Sequence, residues 1–152
     1  MSAPVMTTLQ LRPAGEGDRP SVTSLLAQAK LAALDDAAQF GSQYVVALDP
    51  EGRLAGVAGL EIYGSDALLR SVAVAPSVRS NGLGRRLTEE RLAWAAARGI
   101  RQAFLLTTDA RTYWERFGFV EVGRGDAPAD IRSSTQWAGG CSATATSMRK
   151  AL

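Results

Sequence analysis

Apolar and polar positions divide the chain into short strands and a few helices. Leu9-Gln10-Leu11-Arg12-Pro13 alternates and stops at proline, the pattern of a short strand. Asp18 precedes Arg19-Pro20, and proline in a first turn favours a helix start there. Val22, Leu25, Leu26 and Ala29 recur at helical spacing and give that helix one apolar stripe. Ala32–Ser42, rich in Ala and Asp, predicts a second short helix. Tyr44–Leu48 and Leu54–Tyr63 are strand-like runs flanking the turn sequence Asp49-Pro50-Glu51-Gly52. Ala67–Val74 follows Gly64-Ser65, so the three runs predict an antiparallel meander. Beyond Pro76 the period becomes helical over Leu83–Arg98, closed by Gly99. Phe104–Leu106 predicts a strand, Ala110–Phe117 a helix stopped by Gly118, and Phe119–Val122 a strand. Pro128–Ser134 predicts a helical turn and Thr144–Met148 a last strand. The order β-α-α-β-β-β-α-β-α-β-β implies class α+β, a mixed sheet with helices on its faces.

Composition narrows the chemistry. A chain of 152 residues predicts one domain, 1–152, with 46% hydrophobic and 21% charged residues typical of a soluble globular protein. It has no histidine and one cysteine. That removes Ser-His-Asp and Cys-His nucleophile systems and argues against a zinc site, so no metal is expected. No intrachain disulfide can form, which fits a reducing cytoplasm. No apolar run approaches the roughly 18 residues of a membrane span, and Met1–Gln10 lacks a signal-peptide pattern. The net charge of +2 from 17 basic and 15 acidic residues gives no footprint for nucleic acid.

The informative segment runs from Val72 to Leu87, where a buried strand enters a two-glycine loop that opens a helix. Backbone amides at a helix start, with the helix dipole behind them, form an anion site. Gly82 and Gly84 let anionic oxygens approach the main chain, and Arg79, Arg85 and Arg86 add positive charge. A glycine-containing turn with surface arginines would look the same. No Gly-x-x-x-x-Gly-Lys-[Ser/Thr] is present, which excludes a P-loop. Leu87 stands where a dinucleotide fingerprint wants a small residue.

Two blocks give these residues a family likeness. Arg79-Ser80-Asn81-Gly82-Leu83-Gly84 after Ser71–Pro76, and Ala110–Phe119 ending in Gly118-Phe119, resemble the GCN5-related N-acetyltransferases (GNAT). The likeness spans about Leu9 to Met148. It implies a twisted, mostly antiparallel sheet of about seven strands flanked by helices on both faces. Segments Gly59–Gly64, Ala67–Ser71, Leu105–Thr108 and the tail with Ile131, Cys141-Ser142-Ala143 and Met148 look like the acetyltransferases of arsenic-resistance clusters. Those members usually carry Cys-Pro where this chain has Cys141-Ser142.

The resemblance implies acetyl-CoA as cosubstrate, entering where the Val72–Val74 strand parts from the Phe104–Leu106 strand. Val72, Ala73 and Val74 would hold the pantetheine arm, and Arg79, Ser80, Asn81, Gly82, Leu83, Gly84 and Arg85 the pyrophosphate. The Val74 amide would meet the thioester carbonyl, where oxyanion charge develops. Relatives often use a Tyr acid on the helix before Gly-Phe; aligned on Gly118-Phe119, that position holds Trp114, a donor without useful acidity. Tyr113 is adjacent but about 100° away on a helix, so it is either an acid or a packing residue. Thr107 stands where many relatives have a cofactor-contacting Asn; it can equally cap the next helix.

Glu61 is the candidate base on geometric grounds. A two-residue Gly64-Ser65 turn sets Tyr63 opposite Asp66, Glu61 opposite Leu68 and Gly59 opposite Arg70. Glu61, Tyr63, Leu68 and Arg70 then share one face, with Leu60, Ile62, Ala67 and Leu69 on the other. Glu61 and Arg70 become diagonal neighbours, either lining a polar pocket or forming a plain salt bridge. Tyr63, Arg70 and Ser71 join Glu61 as the substrate-binding set. A bulge in the Val72 strand, usual in the family, could shift this register.

The expected activity is direct acetyl transfer to a small amine, an amino-acid-like or organoarsenical antimetabolite, for detoxification. The alternatives are a protein or peptide N-acetyltransferase and an acyl-CoA-binding module with little catalysis. Cys141 reads as a small buried hydrophobe before it reads as a metalloid ligand. The expected partner is the small-molecule amine, with neither nucleic acid nor membrane; a homodimer through the C-terminal strands is common among relatives.

Overall fold

The computed structural model describes residues 9–35, 39–79, 82–140 and 144–152. Ser80, Asn81 and Cys141 of the sequence reading therefore lie outside the described residues. Seven strands form one sheet: β1 (Gln10–Pro13), β2 (Tyr44–Leu48), β3 (Leu54–Tyr63), β4 (Asp66–Val74), β5 (Gln102–Thr107), β6 (Val120–Glu121) and β7 (Thr146–Ala151). Their order is β1-β2-β3-β4-β5-β7-β6, and β4 against β5 is the parallel pair. The helices are α1 (Arg19–Gln28), α2 (Leu83–Ala97), α3 (Arg111–Glu115) and α4 (Ala129–Arg132).

Each face of the sheet buries a helix pair. Val22, Leu25 and Leu26 of α1 pack on Tyr44, Val46, Val57 and Ala73. On the same face Ile131 of α4 joins Leu68, Phe104 and Trp137. On the opposite face Leu83 and Leu87 of α2 cover Val45, Ala55 and Ala58. Further along that face Leu92, Trp114 and Phe119 enclose Leu60, Leu69, Leu105 and Met148. This is the alternation expected of a sheet buried on both faces.

The meander pairs as its sequence predicts, with Tyr63 opposite Asp66, Glu61 opposite Leu68 and Gly59 opposite Arg70. A bulge follows immediately: Ser71 and Val72 together face Ala58, between the pairs Gly59–Arg70 and Val57–Ala73. Ser71 takes φ +61, uncommon for a residue with a Cβ. The extra residue reverses the alternation. Arg70 and Ala73 therefore point to the α1 face, while Leu69, Val72 and Val74 point beneath α2.

One expected helix is corrected. The described residues of Ala32–Ser42 form no helix. Lys30 at φ +58 ends the α1 turn. Beyond it, tertiary bonds hold the chain: Arg70 Nη2 donates to the Ala33 carbonyl at 3.0 Å, and the Ile62 amide donates to Gln39 Oε1 at 2.7 Å. Boundaries also move. The last strand is Thr146–Ala151, later than Thr144–Met148, and the helix before Gly118 is one turn shorter than Ala110–Phe117.

Candidate active site

The parallel ladder between β4 and β5 stops early. It joins Asp66, Ala67 and Leu68 to Gln102, Ala103 and Phe104, and the strands then part. Its base is stitched by Gln102 Nε2 donating to Asp66 Oδ1 at 2.8 Å and the Arg101 amide to the Ser65 carbonyl at 2.7 Å. On the other side β5 stays paired with β7 as far as Thr107–Thr146. The split opens a cleft of about 500 Å3 between β4 residues Leu69–Val74 and Leu105–Ala110.

The backbone of β4 is turned into this cleft. The Ala75 amide donates to the Ala55 carbonyl at 2.8 Å. Antiparallel strands alternate bonded and non-bonded pairs, so Ala73 also faces β3 and Val74 faces the split. The Val74 carbonyl there takes a bond from Arg79 Nε at 3.4 Å. Ala73, expected among the cofactor contacts, lines the cleft but spends its backbone on β3.

Beyond Val74 a second cavity of about 260 Å3 is lined by Val78, Arg79 and the start of α2, with Tyr113 between the two spaces. Gly82 caps α2 at φ +81, a conformation that suits glycine. Gly84 faces Tyr113 closely; a Cβ there would sit 3.0 Å from the Tyr113 hydroxyl. Arg85 is exposed and pairs with Glu89 at 3.3 Å. Together these features fit a long ligand with an amide-bearing arm and an anionic end. The residues present could hold such a cosubstrate: Val72 and Val74 by backbone, Gly82, Leu83, Gly84 and Arg85 at the helix start, and Arg79 beside them.

Tyr113 and Trp114 divide their roles clearly. Trp114 is 9% exposed and wedged against Phe117 and Phe119, with an edge on the cleft. Tyr113 is 36% exposed and lines both cavities. Partial burial raises its pKa above the ordinary phenol value, so it keeps its proton past neutral pH. Thr107 Oγ1 accepts a bond from the Ala110 amide at 3.0 Å, closing the turn that leads into α3, and also lines the cleft.

The α1 side of the cleft holds a buried polar cluster. Arg70 Nη1 donates to Glu61 Oε2 at 2.6 Å, Nε to Ser71 Oγ at 3.1 Å, and Nη2 to the Ala33 carbonyl. The Tyr63 hydroxyl donates to the other Glu61 oxygen. Burial, together with that carboxylate, pushes the Tyr63 pKa well above its ordinary value. Burial disfavours the Arg70 charge, but the Tyr44 and Glu61 neighbours outweigh it and hold the pKa above its ordinary value.

This placement changes the reading of Glu61. It is 0% exposed, both carboxylate oxygens are engaged, and it does not line the cleft, whereas Arg70 and Ser71 do. Of the two arrangements open from the sequence, a polar pocket or a salt bridge, the carboxylate of Glu61 takes the second, as a buried ion pair with Arg70. Thr108, beside which the sequence also allows the thiolate to leave through water, lines the cleft, whereas three further polar lining residues were not foreseen: Lys30, Asp109 and Gln136. Asp109 is exposed and is the carboxylate residue among the described lining. A strand-end carboxylate two residues past Thr107 was a visible signal for it; a lone Gln carries none.

With this geometry in place, comparisons with known proteins are specific. Residues 40–121, over half of the chain, match the model of the acetyltransferase (GNAT) domain. The amino-acid acetyltransferase of Ralstonia nicotianae is 30% identical over 92 residues, covering 59% of this chain and 20% of that protein. The chain thus spans about a fifth of that curated relative's length. The fold is similar to N-acetylglutamate synthase from Neisseria gonorrhoeae, solved with coenzyme A and N-acetyl-glutamate: TM-score 0.79, 22% identity, 95% of this chain and 35% of that one. It is also similar to the ribosomal-protein-S18-alanine N-acetyltransferase of Escherichia coli: TM-score 0.72, 19% identity, 95% and 94% of the two chains.

Proposed function

The chain belongs to the GNAT acetyltransferase domain family, and from that premise we propose that it moves an acetyl group from acetyl-CoA directly to the amine of a small, amino-acid-like acceptor. One observation carries the reading. The β4–β5 split turns the Val74 backbone toward a cleft that continues to the glycine-bearing start of α2. Acetyl-CoA supplies the acetyl group already activated as a thioester.

This chain's residues then divide the work. The Val74 amide stands ready for developing oxyanion charge, a role that needs no histidine. Tyr113 holds a proton at its hydroxyl for a leaving thiolate. Arg70, fixed by Glu61, Ser71 and the Ala33 carbonyl, forms the cationic wall on the acceptor side and suits a carboxylate-bearing amine. Glu61 is a positioning residue for Arg70. Asp109 is the carboxylate with access to an incoming ammonium.

The amino-acid acceptor is favoured by the Ralstonia nicotianae relative, named an amino-acid acetyltransferase. The likeness of several segments to arsenic-cluster acetyltransferases adds organoarsenical amino-acid mimics to the acceptors. The test is acetyl-CoA turnover, read as free thiol release, against amino acids, phosphinothricin, an organoarsenical analogue, an aminoglycoside and an alanyl peptide. Turnover with an amino acid or mimic is expected. Turnover with the peptide alone makes the chain a peptide acetyltransferase, and binding of acetyl-CoA with no turnover makes it a binding module.

A further inference from the structure

One cleft residue carries an atom that the proposed function leaves unused. Gln136 lines the cleft, as do Arg70 and Thr107. It is 9% exposed, and its Oε1 is buried without a hydrogen-bond partner among the described residues. An unsatisfied buried amide oxygen destabilises the fold, and such atoms in native proteins have a reason.

The neighbourhood gives Gln136 little freedom to escape that cost. Trp137 Nε1 donates to the Arg124 carbonyl at 2.9 Å, and Arg124 Nη2 returns a bond to the Trp137 carbonyl at 3.1 Å. The Ala138 amide donates to the Ser134 carbonyl at 2.9 Å. The Trp137 ring meets Phe104 edge-on at 6.1 Å, on the sheet face that also carries Arg70. Gln136–Gly140 forms a tight turn that is kinked at Gly139, φ 167. The surroundings of Gln136 are pinned, while its buried Oε1 has no partner among the described residues, in a side chain that lines the cleft.

We propose that Gln136 is an acceptor-binding residue whose carboxamide holds the amine end of the substrate, with Oε1 taking one N–H of that amine. The inference rests on the acetyltransferase reading. An oxygen with no partner among the described residues gives up no bond there when a ligand N–H reaches it. A neutral amide also suits the chemistry, because it accepts from the ammonium and from the free amine alike. The contact therefore survives the proton loss that precedes attack. A carboxylate in its place would stabilise the ammonium and hold that proton back.

The test compares wild type, Gln136→Leu and Gln136→Glu by thiol release, using acetyl-CoA with L-glutamate, phosphinothricin and an alanyl tripeptide as probes. For any probe that wild type acetylates, Gln136→Leu is expected to raise the amine KM about 10- to 100-fold and to leave the acetyl-CoA KM within roughly twofold. Its thermal midpoint stays level or rises, because the orphaned oxygen is gone. Gln136→Glu is expected to move the acid limb of kcat, which reports the bound amine, to higher pH. An unchanged amine KM in a folded Gln136→Leu overturns the proposal. So does a rise in both KM values together with a lower thermal midpoint, which marks a packing role. If the leucine variant does not fold, the glutamate variant decides: an unmoved acid limb overturns the proposal. Wild type that acetylates none of the probes or the wider panel overturns the proposed function and this inference with it; wild-type turnover with an unaffected variant overturns the inference alone.

Discussion

The Arg70 guanidinium meets the Glu61 carboxylate at 2.6 Å, with side-chain exposures of 2% and 0%. The pair lies one diagonal step across the β3–β4 hairpin and ties the segment after α1 to the sheet through the Ala33 carbonyl. Removing one partner of a buried pair leaves an uncompensated charge, whereas replacing both by apolar groups is often tolerated.

Glu61→Gln is therefore expected to lose about 3–5 kcal/mol of stability in denaturant unfolding. The double variant Glu61→Leu/Arg70→Met should recover much of that loss while its KM for a carboxylate-bearing amine stays raised. If Glu61 only positions Arg70, kcat falls about 100-fold in Asp109→Asn and by far less in a folded Glu61→Gln. The opposite pattern returns the base role to Glu61.

The hairpin register makes a second demand at Gly59, opposite Arg70. A Cβ at Gly59 would fall inside the ring of Tyr44, which is fully buried. That ring is held edge-on to Phe40 at 5.0 Å and cannot swing aside freely. Gly59→Ala is expected to cost about 1–3 kcal/mol as overpacking, read as a lower unfolding midpoint. A midpoint equal to wild type would mean the Tyr44 ring has room to move.

Much of this site was legible in the sequence because period-two alternation and a two-residue turn leave one register for the hairpin. Glu61, Tyr63 and Arg70 came together for that reason. The bulge at Ser71 left no local mark, since serine does not announce a positive φ. The Ala-rich segment misled because helix propensity is weak beside tertiary bonds such as Gln39 to Ile62. The pattern ends the last strand at Met148, since Arg149 and Lys150 are charged, yet their backbones pair with Phe104 and Ala103. Gln136 is one polar residue in a polar stretch, and only its unpaired oxygen in the fold singles it out.

Gly84 separates cosubstrate binding from stability. It is the second residue of α2, where alanine improves on glycine by up to about 1 kcal/mol. Its Cβ would press on the Tyr113 hydroxyl at 3.0 Å and reach Val74 Cγ2 at 3.6 Å, closing the passage between the two cavities. Gly84→Val is expected to fold while raising the acetyl-CoA KM at least about tenfold, a cost of about 1.4 kcal/mol. Isothermal titration with CoA checks it directly. Unchanged CoA affinity in a folded variant would move the cosubstrate away from this helix start.

Tyr113 makes the sharpest test of the acid assignment, because Trp114 beside it cannot serve as an acid. The two rings touch edge-on at 4.9 Å, so the pair separates loss of the hydroxyl from loss of packing at one place. Tyr113→Phe removes only the hydroxyl and is expected to lower kcat about 100-fold with little change in unfolding midpoint. Trp114→Phe leaves a void among Phe117, Phe119 and Leu92, so it should lower the midpoint and leave the pH profile intact. The sign of the pH effect follows from the raised phenol pKa. A phenol acting as an acid is competent while protonated, so wild-type kcat should hold through neutral pH and fall only above the ordinary value of 10.0. Tyr113→Phe should be slow and flat over that range. Should Tyr113→Phe retain wild-type kcat, the thiolate leaves without help from this hydroxyl, and Tyr113 is left as the wall between the two cavities.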